Sequence, residues 1–147
     1  ATDLGGLAIK AAIESIKLDP KAINEVLLGN VVSAGIGQAP ARQAAIKGGV
    51  DKSVPCTTVN KVCSSGMKTI MLGAQSIGLG LNDVVLAGGF ESMSNAPFYV
   101  TNVKYAHILS IVRELALETK SCSTRCHSMD SPTHSTISLW EFVQRRQ

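Results

Sequence analysis

From Leu4 to Ala87 the apolar pattern alternates between helical spacing and short β-prone runs, and this alternation restricts the possible folds more than any single residue does. Leu4, Leu7, Ala8, Ala11, Ile13 and Ile16 approximate a helical stripe over 4–17, with Thr2 or Asp3 available as its N-cap. Asp19-Pro20 is a second start signal, a cap followed by Pro at the first position, for a short turn through Asn24. Val26-Leu27-Leu28 with Val31-Val32 reads as a strand interrupted by Gly29. Ser33 to Gln38 has two glycines and no period, so it is a loop, and Pro40 to Lys47 reads as a helix stopped by Gly48-Gly49. Pro55 to Asn60 is β-prone. From Ser64 onward Met67, Ile70, Met71, Ala74 and Ile77 recur at helical spacing until Gly78 and Gly80 end the run. Asp83 to Ala87 reads as a buried strand, with Gly88-Gly89 turning at its end. Strands separated by helices need crossover connections, so the expected class is α/β with a mostly parallel sheet.

The 147 residues, 45% of them hydrophobic, can bury a core of one domain. The net charge of +3 is thinly spread, with eight Lys/Arg against seven Asp/Glu in residues 1–100. No basic stripe suits a phosphate backbone, so a nucleic-acid partner is not expected. No apolar run approaches the ~20 residues that span a bilayer, and no membrane partner is expected. Cysteines at 56, 63, 122 and 126 make no dense framework, which fits a reducing compartment. Ala1-Thr2-Asp3, followed almost at once by a helix, reads as the start of a segment cut from a longer chain.

The alternating pattern stops near Val100, which divides the chain into 1–100 and 101–147. Asn102 to Glu118 carries one more amphipathic helical pattern, through Tyr105, Ile108, Leu109, Val112, Leu115 and Ala116. In Thr119 to Ser138, ten of twenty residues are Ser or Thr, and a poorly ordered segment is expected. Cys122, Cys126, His127 and His134 are zinc-ligand types, but their spacing departs from common zinc modules and no strand framework surrounds them. No metal site is assigned.

Cys63 follows a β-prone run and stands where a helix begins. Free N–H groups and the helix dipole favour negative charge there, hence the thiolate, which is the nucleophilic form. Ser64, Ser65 and Gly66 are small enough to admit a bulky thioester, and strand, tight turn, nucleophile and helix together follow the logic of a nucleophile elbow. From the residues alone, a reactive thiolate and a cysteine packed as a small hydrophobe stand side by side.

Three segments resemble the thiolase family in order and spacing. Asn60-Lys61-Val62-Cys63-Ser64-Ser65-Gly66-Met67-Lys68 resembles its nucleophile motif, with Pro55-Cys56-Thr57-Thr58 before it similar to the acetoacetyl-CoA-specific mitochondrial branch. Gly37-Gln38-Ala39-Pro40-Ala41-Arg42-Gln43-Ala44-Ala45 resembles the segment ahead of the nucleophile strand, and Ala87-Gly88-Gly89-Phe90-Glu91-Ser92-Met93-Ser94 the Gly-Gly-x-Glu-Ser-Met-Ser turn. The resemblance implies a partial thiolase-like α/β fold, part of the N-terminal half. It also implies transfer of an acetyl group between coenzyme A thioesters through an acyl-Cys63 intermediate, with the Cys63 N–H as one oxyanion-hole donor. Acetyl-CoA, acetoacetyl-CoA and coenzyme A are then substrates; no cofactor is expected. Dimers or tetramers and a mitochondrial location, with a cytoplasmic alternative, follow from the same resemblance.

Neighbouring residues carry plainer readings. Glu91 is expected to cap or pair locally, Arg42 to serve an interface or a structural ion pair, and Met67, Met71 and Met93 to pack. The family's Gly-His-Pro histidine and Cys-x-Gly loop occur nowhere in the chain, and His107, His127 and His134 are not in that context. The chain alone is therefore expected to be inactive. A fragment that associates with intact thiolase subunits is the alternative, and a ketoacyl synthase, which also places a cysteine at a helix start, fits the motif wording less well.

Overall fold

The computed structural model describes residues 1–97. Its elements are helix α1 (Thr2–Ser15), strand β1 (Glu25–Gly29), helix α2 (Pro40–Lys47), strand β2 (Cys56–Val59), helix α3 (Ser65–Gly78) and strand β3 (Val85–Gly89), with 3-10 turns at Pro20–Ala22 and Met93–Asn95. The expected α/β class is what folds. All pairings are parallel, in the order β2-β1-β3, with Leu28 opposite Thr58 on one side and Gly88 on the other. The helical pattern over 102–118, the Ser/Thr-rich segment and the Cys/His group at 122–134 lie outside the described residues. Among those described, no group of His, Cys, Asp and Glu could hold a metal ion, and no helix is long and apolar enough to cross a membrane.

Because successive strand side chains point to opposite faces, β1 feeds two cores. Val26 and Leu28 join Leu86 of β3 under α1 and α2, with Ile9, Ile13, Ala41, Ala44, Ala45 and Phe90. Leu27 points the other way and meets Val85, Ala87 and Ile77 beneath α3. A central strand covered on both faces is a continuous apolar run, which is why Val-Leu-Leu shows no alternation.

Helix locations match the expectation; the faces they bury do not. On α1 the buried residues are Thr2, Gly5, Gly6, Ile9, Ala12 and Ile13, while Leu7 is 67% exposed. A Cβ on Gly6 would lie 2.7 Å from the Lys47 Cβ, so α1 and α2 touch through small residues at a distance larger side chains would forbid. On α3 the buried line is Ser65, Thr69, Gly73 and Ile77, and Met67 and Met71 face outward, as does Met93 beyond β3. These methionines do not pack against the described core. Close approach of helix to sheet selected small residues, and apolar periodicity alone could not register that.

Two strand ends also differ from the expectation. Gly88-Gly89 continue β3 to its end instead of turning, and Gly29 closes β1, with Phe90 N–H donating to the Gly29 carbonyl at 3.0 Å. Val31 and Val32 leave the sheet because their N–H groups are taken by the Glu91 carboxylate. Arg42 makes no ion pair among the described residues: its guanidinium donates to the carbonyls of Val54 and Lys52, at 3.1 and 2.7 Å, and pins the chain entering β2.

Candidate active site

The path from β2 to α3 reverses direction within Asn60–Ser64, and hydrogen bonds specify each step. The Asn60 Oδ1 accepts from Val62 N–H at 3.0 Å. The Lys61 carbonyl accepts from Ser64 N–H and its hydroxyl, and the Val62 carbonyl from Ser65 N–H at 3.1 Å and Ser65 Oγ–H at 2.6 Å. At the turn, Val62 has φ +49. The left-handed region costs an L residue roughly 1–2 kcal/mol, and a branched Cβ makes it less common still.

Cys63 follows Val62 and stands ahead of Ser64, the residue that caps α3; it is exposed and free. The helix thus opens two residues beyond the cysteine. Among the described residues the Cys63 N–H donates to no other group. Cys56 has the opposite setting: half-buried, it donates to the Val54 carbonyl at 3.4 Å, and burial pushes its thiol up, with the Arg42 guanidinium pulling the other way. Of the two cysteines described, only Cys63 is exposed.

Three glycines put the elbow on the sheet. A Cβ on Gly29 would stand 2.6 Å from Gly66 N and 2.7 Å from Ser65 C, and one on Gly89 3.2 Å from the Gly66 Cα. The first turn of α3 therefore rests on the carboxyl ends of β1 and β3, where open α/β sheets place their ligands. Thr69, fully buried, donates from its hydroxyl to the Gly88 carbonyl at 2.8 Å and fixes the helix from below.

Beside it, Glu91 binds across the strand ends. Its carboxylate accepts from Val31 N–H at 2.8 Å, Val32 N–H at 3.1 Å and Asn30 Nδ2 at 3.1 Å, and Asn30 also donates to the Phe90 carbonyl. Glu91 does pair, though with residues about sixty positions away and not locally. Nothing in the local sequence marks Asn30 as its partner; only parallel pairing of β1 with β3 brings the two loops together. Glu91→Ala is expected to lower stability by about 2 kcal/mol, since it strands two backbone donors and takes one of two acceptors from the buried Asn30 amide. Urea denaturation reads this, and a change below about 0.5 kcal/mol would show that water replaces the carboxylate.

The thiolase N-terminal domain family matches residues 1–129 of the chain that carries this elbow. Acetyl-CoA acetyltransferase 2 of Arabidopsis thaliana is 61% identical over 104 residues, which is 71% of this chain and 26% of that protein. The cytosolic acetyl-CoA acetyltransferase ERG10 of Gibberella zeae is 54% identical over 104 residues, again 71% of the chain and 26% of the relative. The crystal structure of Acat5 thiolase from Ascaris suum, in complex with coenzyme A, superposes with a TM-score of 0.67 at 51% identity, covering 70% of this chain and 27% of that one. The chain spans about a quarter of the length of these relatives. One carries a cytosolic name, so similarity does not choose between the mitochondrial and cytoplasmic compartments.

Proposed function

Because the chain belongs to the thiolase family, we propose that Cys63 is the acyl-carrying nucleophile of an acetyl-CoA C-acetyltransferase site, of which this chain supplies one part. The Cys63 thiolate attacks the carbonyl carbon of acetyl-CoA, a new carbon–sulfur bond forms, and coenzyme A leaves as its thiolate. The acetyl group then passes to the carbanion of a second acetyl-CoA, or, in the reverse direction, an acyl fragment returns to coenzyme A. The Cys63 N–H, without a partner among the described residues, is the donor that would receive the charge developing on the carbonyl oxygen. The observation that carries the reading is the exposed sulfur at the tip of a strand–turn–helix elbow seated on the carboxyl ends of the strands.

The test is chemical. Incubating the chain with acetyl-CoA is expected to add one acetyl group, located on Cys63 by peptide mass spectrometry and absent in Cys63→Ala. A folded chain that stays unmodified, or one acetylated equally in the variant, would remove Cys63 from this role.

A further inference from the structure

We propose that the Ser65 hydroxyl is the positioning group of the elbow: by bridging the Lys61 N–H and the Val62 carbonyl it holds Val62 in the left-handed conformation that turns Cys63 outward. Only the functional consequence rests on the nucleophile reading above; the geometry stands without it. Val62 is 66% exposed, so packing does not enforce its φ of +49. Hydrogen bonds must do so. Two side chains add to the backbone bond from Ser65 N–H to the Val62 carbonyl: Asn60, accepting from the Val62 N–H, and Ser65, whose hydroxyl accepts from Lys61 N–H at 2.8 Å while donating to the Val62 carbonyl at 2.6 Å.

These two differ in what can replace them. Asn60 is exposed, and water can take over its bond. Ser65 is 4% exposed, and its hydroxyl uses its donor on one side of Val62 and an acceptor site on the other. Its own position is set by the sheet, because Ser65 Cβ sits where a side chain on Gly29 would otherwise be. The hydroxyl therefore carries the register of β1 to the residue preceding the cysteine. Without it, Val62 can relax to negative φ, and the turn no longer holds Cys63 outward at its tip.

The measurement is the rate at which iodoacetamide alkylates Cys63 in the full 147-residue chain, followed across pH and resolved by peptide so that Cys56 is read separately. Ser65→Ala is expected to slow Cys63 about fivefold to tenfold near neutral pH, the fold-change that one ordinary hydrogen bond supports, with Cys56 unchanged. Adding Val62→Gly, which adopts positive φ without strain, is expected to recover the rate to within about twofold. A general loosening of the core would instead speed Cys56 and would not respond to glycine at 62. An unchanged rate in Ser65→Ala, or no recovery in the double variant, overturns the proposal. Should Ser65→Ala fail to fold, hydrogen exchange on the unaltered chain decides: the Lys61 N–H is expected to be protected, and exchange at the free-peptide rate means the bridge is absent. Acetyl-CoA is left out of both measurements, so a chain that never acquires an acyl group can still show the Ser65 effect.

Discussion

Gly29→Ala is expected to destabilise the fold by about 3 kcal/mol, a large share of the roughly 5–15 kcal/mol that holds a domain folded. The added methyl would lie 2.6 Å from Gly66 N, 2.7 Å from Ser65 C and 2.8 Å from Ser65 Cβ. The first two are backbone, so relief requires α3 to lift from the sheet. That movement would also separate Thr69 from the Gly88 carbonyl and open the contact between Gly66 and Gly89. Gly78→Ala provides the control, because a methyl there would meet nothing within 4 Å and the residue ends the same helix. At that position alanine is expected to stabilise by about 0.5 kcal/mol, through the lower helix penalty relative to glycine. Urea midpoints of the two variants should move in opposite directions. A Gly29→Ala stability within about 0.5 kcal/mol of the unaltered chain would mean that the helix is not held on the sheet by this contact.

The second large effect concerns turnover. Assayed alone for acetoacetyl-CoA cleavage in the presence of coenzyme A, the 147-residue chain is expected to be at least about a hundredfold slower than an intact thiolase, and as much as roughly ten-thousandfold. Among the described residues there is no histidine to take the proton from the Cys63 thiol. The Gly-His-Pro and Cys-x-Gly motifs that the family uses for that task are absent from the 147 residues. Partners that act as a unit fail together, so the nucleophile alone recovers little of the rate. Acyl adduct without turnover is the combination expected. Cleavage within about tenfold of an intact enzyme would show that another group in this chain activates Cys63.

The order of elements was legible because each carries a local signal. Pro40 opens α2 with its fixed φ, Asp19 caps the turn at Pro20 by accepting the Lys21 N–H at 3.0 Å, and the Val-Leu-Leu run of β1 declares a strand covered on both sides. Helix faces were not legible. Leu7, Met67 and Met71 look like core in a helical count, yet the contacts run through Gly5, Gly6, Thr69 and Gly73, since the helices approach closely enough to exclude larger groups. Periodicity reports how apolar a position is and says nothing about how near the neighbouring element will come.

The same division applies to the site. By itself the sequence determined the candidate nucleophile and the kind of element on each side of it: a β-prone run, an Asn-x-x-Cys turn and small residues opening a helix, all of them features of contiguous residues. Tertiary structure alone decided that the elbow sits on Gly29 and Gly89, that Glu91 gathers the amides of Val31 and Val32, and that a buried serine bonds to the Lys61 N–H and the Val62 carbonyl in the turn before the cysteine, where Val62 stands at positive φ. The first two depend on parallel pairing between segments about sixty residues apart. The last depends on the depth at which Ser65 is buried against β1. Neither quantity is a property of any local stretch of chain.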